Sequence, residues 1–184
     1  LNNTGMREND LSLALGYRRG AWRLETGYSL FAQKLGVMQS AQMGNEQLLQ
    51  ERIRLGQPVD FTPFSRHIDY PFQQITHHNV YFKAFFDHEK IGHFAFQSTF
   101  QQDNRRENRI RRLNHSDIPS VSLHLNSLQN SLVWNKGYQH WKSEAGAQLL
   151  ITDNTNERGT GVVPIIPNYT EVAFGLYALQ KYTA

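Results

Sequence analysis

Trp22-Arg23-Leu24-Glu25-Thr26-Gly27-Tyr28-Ser29-Leu30 sets Trp22, Leu24, Thr26, Tyr28 and Leu30 against Arg23, Glu25, Gly27 and Ser29. A period of two is the signature of a β-strand, because successive side chains point to opposite faces. The same pattern recurs along the chain. Leu11, Leu13, Leu15 and Tyr17 alternate with Ser12, Ala14, Gly16 and Arg18, and Val80, Phe82, Ala84 and Phe86 with Tyr81, Lys83, Phe85 and Asp87. Phe94, Phe96, Ser98 and Phe100 oppose Ala95, Gln97, Thr99 and Gln101. Trp141, Ala145, Ala147 and Leu149 oppose Lys142, Glu144, Gly146 and Gln148, while Val172, Phe174, Leu176 and Ala178 oppose Glu171, Ala173, Gly175 and Lys181. An apolar face with small and charged residues opposite is what a sheet between lipid and water requires.

The connections carry a second pattern. Strands are expected near 10–18, 21–32, 77–87, 92–103, 120–134, 139–152 and 169–182. Short turns at Arg19-Gly20, at Glu89-Lys90-Ile91-Gly92 and at Asn135-Lys136-Gly137 alternate with long connections over 34–76, 104–119 and 153–168. Outer-membrane barrels alternate short periplasmic turns and longer outer loops in this way. Trp22, Trp134 and Trp141 all sit beside short turns, with Tyr17 and Tyr138 near them, as an interfacial aromatic girdle demands. A tilted membrane strand needs only ~9–11 residues, which these stretches supply. One strand breaks phase: Val121, Leu123 and Leu125 are odd-numbered, whereas Leu128, Leu132 and Trp134 are even. Either a bulge near Asn126-Ser127 restores the phase or the strand clears the membrane there.

Composition narrows the class. A mean hydropathy of -0.58 with 39% hydrophobic residues opposes a helical membrane protein. No apolar run approaches the ~18 residues of a transmembrane helix, although barrel strands, half polar, need none. There are no cysteines, hence no disulfide, thiolate site or cysteine nucleophile. The chain opens Leu1-Asn2-Asn3 without a signal pattern, so any export signal is expected outside it. A net charge of +3 is too small to argue for nucleic acid. The main alternative fold is a soluble antiparallel sandwich, which alternates equally but has no reason to confine tryptophans or long loops to one end.

Several segments resemble TonB-dependent outer-membrane receptors of the Bacteroidetes type. They are Gln74-Ile75-Thr76-His77-His78 with Phe100-Gln101-Gln102-Asp103-Asn104-Arg105-Arg106-Glu107, and Gly159-Thr160-Gly161-Val162-Val163-Pro164-Ile165-Ile166-Pro167-Asn168-Tyr169. Arg111-Arg112 before His115-Ser116-Asp117-Ile118-Pro119 is similar to the family's basic loop, with Leu113-Asn114 in place of its Gly-Gly. The stretch from Leu35-Gly36-Val37 to Gly44-Asn45 is similar to the family's first long loop. The resemblance implies a plugged barrel of about 22 strands, of which this chain supplies part of one barrel domain and no plug. It further implies a bacterial outer-membrane receptor that imports a scarce nutrient. An iron complex of siderophore type comes first, an oligosaccharide or peptide behind it. The implied partners are the TonB energy-transducing complex through the plug, the nutrient, outer-membrane lipid and lipopolysaccharide, and a lipoprotein lid.

Chemistry-bearing side chains concentrate in a few places. Arg105, Arg106, Arg109, Arg111 and Arg112 form the densest charge cluster, suited to a carboxylate- or phosphate-bearing ligand at an outer mouth. A solvated loop pairing with acidic loops or lipopolysaccharide is the plainer reading. No aromatics interleave, so nucleic acid is not expected. The long loop holds Arg52, Arg54, Arg66, His67 and Tyr70, where a rigid scaffold presents binding residues, and 47–54 has the spacing of a short helix. His77 and His78, adjacent on a strand, point to opposite faces and cannot share one metal ion. Arg23, Glu25, Lys83, Lys142, Glu144 and Glu171 fall on the polar face and would line a lumen, free to bind a plug or pair across strands. Neither G-x-S-x-G, H-E-x-x-H nor a P-loop occurs. The expectation is therefore a binding and transport role without catalytic, metal or cofactor residues. A soluble all-β glycan-binding or structural module is the rival.

Overall fold

The computed structural model describes residues 3–38, 46–56, 65–109 and 117–183. Seven strands form one antiparallel sheet in chain order: β1 (Met6–Arg19), β2 (Trp22–Gly36), β3 (Phe72–His88), β4 (Gly92–Glu107), β5 (Val121–Tyr138), β6 (Trp141–Asn156) and β7 (Tyr169–Tyr182). A helix, α1 (Glu46–Leu55), lies between β2 and β3, where the spacing of 47–54 predicts one, and among the described residues it packs on none of the strands. Over the same residues the sheet does not close on itself, since β1 pairs only with β2 and β7 only with β6.

Five of the seven strands, β1 to β4 and β6, outrun their expected bounds at the long-loop end. β2 continues to Gly36, β3 starts at Phe72, β4 runs to Glu107 and β6 to Asn156. The ladder needs only backbone groups, so it persists where the two faces no longer contrast and the period-two signal has vanished. At the other end, Arg19 pairs with Trp22, His88 with Gly92 and Tyr138 with Trp141. The third turn is therefore Gln139-His140, not Asn135-Lys136-Gly137, which belongs to β5. Gln139 takes the left-handed conformation the turn needs (φ 48°), while Gly137 pairs in register with Lys142. No bulge interrupts β5: its register with β4 runs unbroken from Asn135 opposite His93 to Val121 opposite Glu107. The phase break is thus real, and Val121, Leu123 and Leu125 lie on the face opposite Leu128, Leu132 and Trp134.

Registered rows define the two faces. Across the apolar face, one row runs Tyr17, Leu24, Ala84, Phe96, Leu132, Ala147, Leu176, and another Leu13, Tyr28, Val80, Phe100, Leu128, Ile151, Val172. No second layer of described residues covers this face, so a two-sheet sandwich is not what these strands build. Leu15 keeps 75% and Leu176 71% of its surface exposed. Near the short turns the face ends in aromatics packed at a tilt: Trp22 lies 4.7 Å from Phe86, Phe86 6.4 Å from Phe94, and Trp141 4.9 Å from Tyr182. Trp134 Nε1 donates to the Ile91 carbonyl at 2.7 Å, tying β5 to the turn between β3 and β4.

The opposite face is polar, with a row Ser12, Ser29, Asn79, Gln101, Ser127, Thr152, Glu171. All six charges expected on that face lie there. Arg23 pairs with Glu25 on its own strand at 3.6 Å and lies 4.0 Å over the Phe85 ring. Tyr177 donates its hydroxyl to Glu144 Oε1 at 3.0 Å. Its ring crosses Gly146, where a Cβ would stand 2.5 Å from Tyr177 Cζ, and Tyr81 crosses Gly27 in the same way.

Candidate functional site

The long-loop end gathers most of the candidate binding residues. Its first anchor is Asn3, buried, whose Nδ2 donates to the carbonyls of Val37 (2.9 Å) and Pro71 (2.6 Å) while Oδ1 accepts from the Asp69 amide (2.8 Å). One side chain thus ties the start of β1 to the connection between β2 and β3. Buried beneath it are Pro71 and Phe72, whose ring lies 4.0 Å from Lys34 Nζ and 5.5 Å from the Tyr70 ring. The Asn108 amide donates to the Phe72 carbonyl (2.9 Å), joining this knot to the end of β4.

Arg66 and His67 lie exposed on the segment leading into that knot, with the His67 amide donating to Ser65 Oγ at 3.0 Å. Tyr70 is half-buried, its ring against Phe72. Arg52 and Arg54 sit on α1, apart from the sheet. The arginine run does not act as one patch. Neighbours on a strand diverge, so Arg105 lies on the polar face, ion-paired with Glu107 (Nε to Oε1 2.6 Å). Arg106 lies on the other face and donates to the Asp117 carbonyl at 3.3 Å. Arg109 is exposed just past β4, and Arg111 and Arg112 fall outside the described residues. The two histidines separate as the strand rule requires: His77 Nδ1 meets Asp103 at 3.2 Å on the polar face, and His78 Nδ1 meets Tyr28 Oη at 2.9 Å on the other.

Two groupings emerge that the sequence does not single out. On the Arg106 face, Glu157 sits 3.7 Å from His124 Nε2, and His124 Nδ1 bonds Asn104 Oδ1. A hydrogen bond from Ser122 holds the Glu157 carboxyl below its ordinary value of 4.5, with His124 and Arg106 adding to the effect against partial desolvation. On the other face, a cavity of about 260 Å³ opens between β4–β6 and the loop 157–168, lined by Arg105, Glu107, Val121, Leu123, Val162 and Ile166 among others. Its sequence signal is the phase break of β5 together with the apolar run Val162-Val163-Pro164-Ile165-Ile166.

The long-loop end therefore brings together a hydrogen-bonded polar rim, an arginine on each face and an apolar recess. Compared with protein-family models, curated proteins and solved structures, the chain matches none.

Proposed function

We propose that this chain is a wall segment of a plug-gated, TonB-dependent transporter of the bacterial outer membrane. The observation that carries this reading is the single meandering sheet with one uncovered apolar face, bounded by aromatics at the short-turn end. In water such a face would have to be buried against something, and contiguous apolar patches of this extent mark an interaction surface. Lipid covers it without a second protein layer. The apolar rows span ~20–25 Å once the strands tilt, close to the apolar band of such barrels. Further strands of the same barrel would pair with β1 and β7, since open strand edges are not tolerated in hydrocarbon.

On this reading the polar face lines the lumen and meets the plug, and the loop end captures the nutrient outside. Plug movement is driven from the inner membrane by the TonB complex, and outer-membrane lipopolysaccharide and a lipoprotein lid are the remaining partners. The nutrient class, an iron complex of siderophore type ahead of an oligosaccharide or peptide, rests on the sequence resemblance alone. A soluble glycan-binding or structural module would need a covering layer that the described residues do not provide.

Outer-membrane extracts run unheated and boiled, with peptide mass spectrometry of the bands, test the proposal. A detergent-dependent species several times larger than 21.3 kDa whose mobility shifts on boiling is expected. A detergent-independent soluble species of 21.3 kDa would overturn it.

A further inference from the structure

We propose that the cavity between β4–β6 and the loop 157–168 is a binding subsite for a small, uncharged group with an apolar body and a hydrogen-bonding substituent. An aromatic ring or a branched aliphatic chain bearing a hydroxyl or amide is the chemistry it fits. The inference deepens the proposed transport role by naming what the mouth would hold, and it rests on that role only for the fate of the ligand after capture.

Two features converge here. β5 turns Val121 and Leu123 onto the polar face, where lipid would not reach them. Opposite them the loop presents Val163 and Ile165 with 87% and 98% of their surface exposed. The loop does not collapse over the strands, because polar side chains hold its backbone. Asn154 Nδ2 donates to the Pro167 carbonyl and Asn156 Nδ2 to the Ile166 carbonyl, both at 2.9 Å. Asn168 Oδ1 accepts from the Asn156 amide at 2.7 Å, and Thr160 Oγ1 donates to the Val162 carbonyl at 3.2 Å. A recess held open in this way spares a ligand the cost of ordering it.

Size selects the occupant. The cavity measures about 260 Å³, against roughly 150 Å³ for an apolar cavity that takes up benzene. A ring system somewhat larger than benzene fits, whereas a stable protein partner would need on the order of 1,200 Å² of buried surface. Charge selects its polarity. Arg105 and Glu107 at the rim compensate each other, offering donors and an acceptor with no net charge, so a bare carboxylate would meet Glu107 as well as Arg105.

The chain itself has no cysteine, so labelling read on the peptide that carries an Ile165→Cys thiol reports on this cavity, and Glu89→Cys at the opposite end serves as control. The parent protein, in nanodiscs or in buffer if it proves water-soluble, is reacted with a hydrophilic maleimide in the presence of 2-naphthalenemethanol. Failure of the membrane reading and failure of this one are thereby distinguishable. The alcohol should slow Ile165→Cys labelling saturably, about threefold at twice its Kd, and leave Glu89→Cys unchanged. Protection should be lost with Leu123→Gln, or with Val162→Asn should the strand variant misfold, and 2-naphthoate should protect less well. Unchanged labelling, equal slowing at both thiols, protection that survives the cavity variants, or equal protection by the carboxylate would each overturn the proposal. So would an Ile165→Cys thiol already unreactive without probe, since a segment of the protein would then fill the cavity.

Discussion

Gly146 has no room for a side chain. The Tyr177 ring lies across it from β7 and its hydroxyl is held by Glu144, two residues away on the same face. Gly146→Val should therefore destabilise by ~1–3 kcal/mol through overpacking, read as a lower urea midpoint for the unheated gel band. Adding Tyr177→Ala should recover most of the loss, which a mere change of strand propensity would not. Alternation alone places Gly146 on the polar face, but not beneath a particular ring. That position depends on the register of β6 with β7, set by contacts far apart in sequence. The arginines offer a related case. The rule that parts His77 from His78 parts Arg105 from Arg106 as well, but only once β4 is known to run to Glu107, since alternation ends near 103 and leaves both arginines in a loop. What was not legible is the partner each finds, Glu107 for one and the Asp117 carbonyl for the other.

Among the elements, alternation locates all seven strands, gives β7 its full length and shortens most of the others, because its signal depends on contrast between faces. Beyond the apolar band there is none, and the strand ends blend into loops until the backbone ladder is traced. Turn chemistry misled in one place: Asn135-Lys136-Gly137 has turn composition, but Trp134 and Tyr138 must both stay on the apolar face, which keeps the segment extended. The loop after β6 depends on polar anchors that composition does not reveal, Glu157 among them. Its carboxyl is held below 4.5 by Ser122, so the charged form is favoured in the folded chain. The stabilisation this gives is complete above the unfolded value and is lost as pH falls through the lowered one. Amide exchange across 157–160 should therefore quicken selectively below about pH 4.5, and Glu157→Gln should remove that dependence. Exchange in the middle of β5 should show no matching change.

At the scale of the molecule, one sheet with two unlike faces makes a simple prediction. A fluorophore on Leu176→Cys should be quenched by nitroxide lipids and spared by aqueous iodide, while one on Gln148→Cys, in the neighbouring row on the other face, should behave in reverse. Equal aqueous quenching at both would place the apolar face in water. The all-β class and the two faces were legible because periodicity reports them directly. The absence of a second layer among the described residues was not, since a sandwich strand alternates as well as a membrane strand. The short turns carry one more consequence. Arg19, which borders the first turn, shares a row with Phe86 and Trp134. The second turn comes after His88, two residues beyond that row, and the third after Tyr138, four beyond it. Each hairpin thus hangs two residues lower than the one before. Two residues are ~6.6 Å along a strand and two strands ~9.6 Å across the sheet. Levelling the three turns on one plane therefore leans every strand by about 35°, within the range that closed barrels require. That lean follows from hairpin stagger, so the three short turns can share one level only if the strands slant past one another.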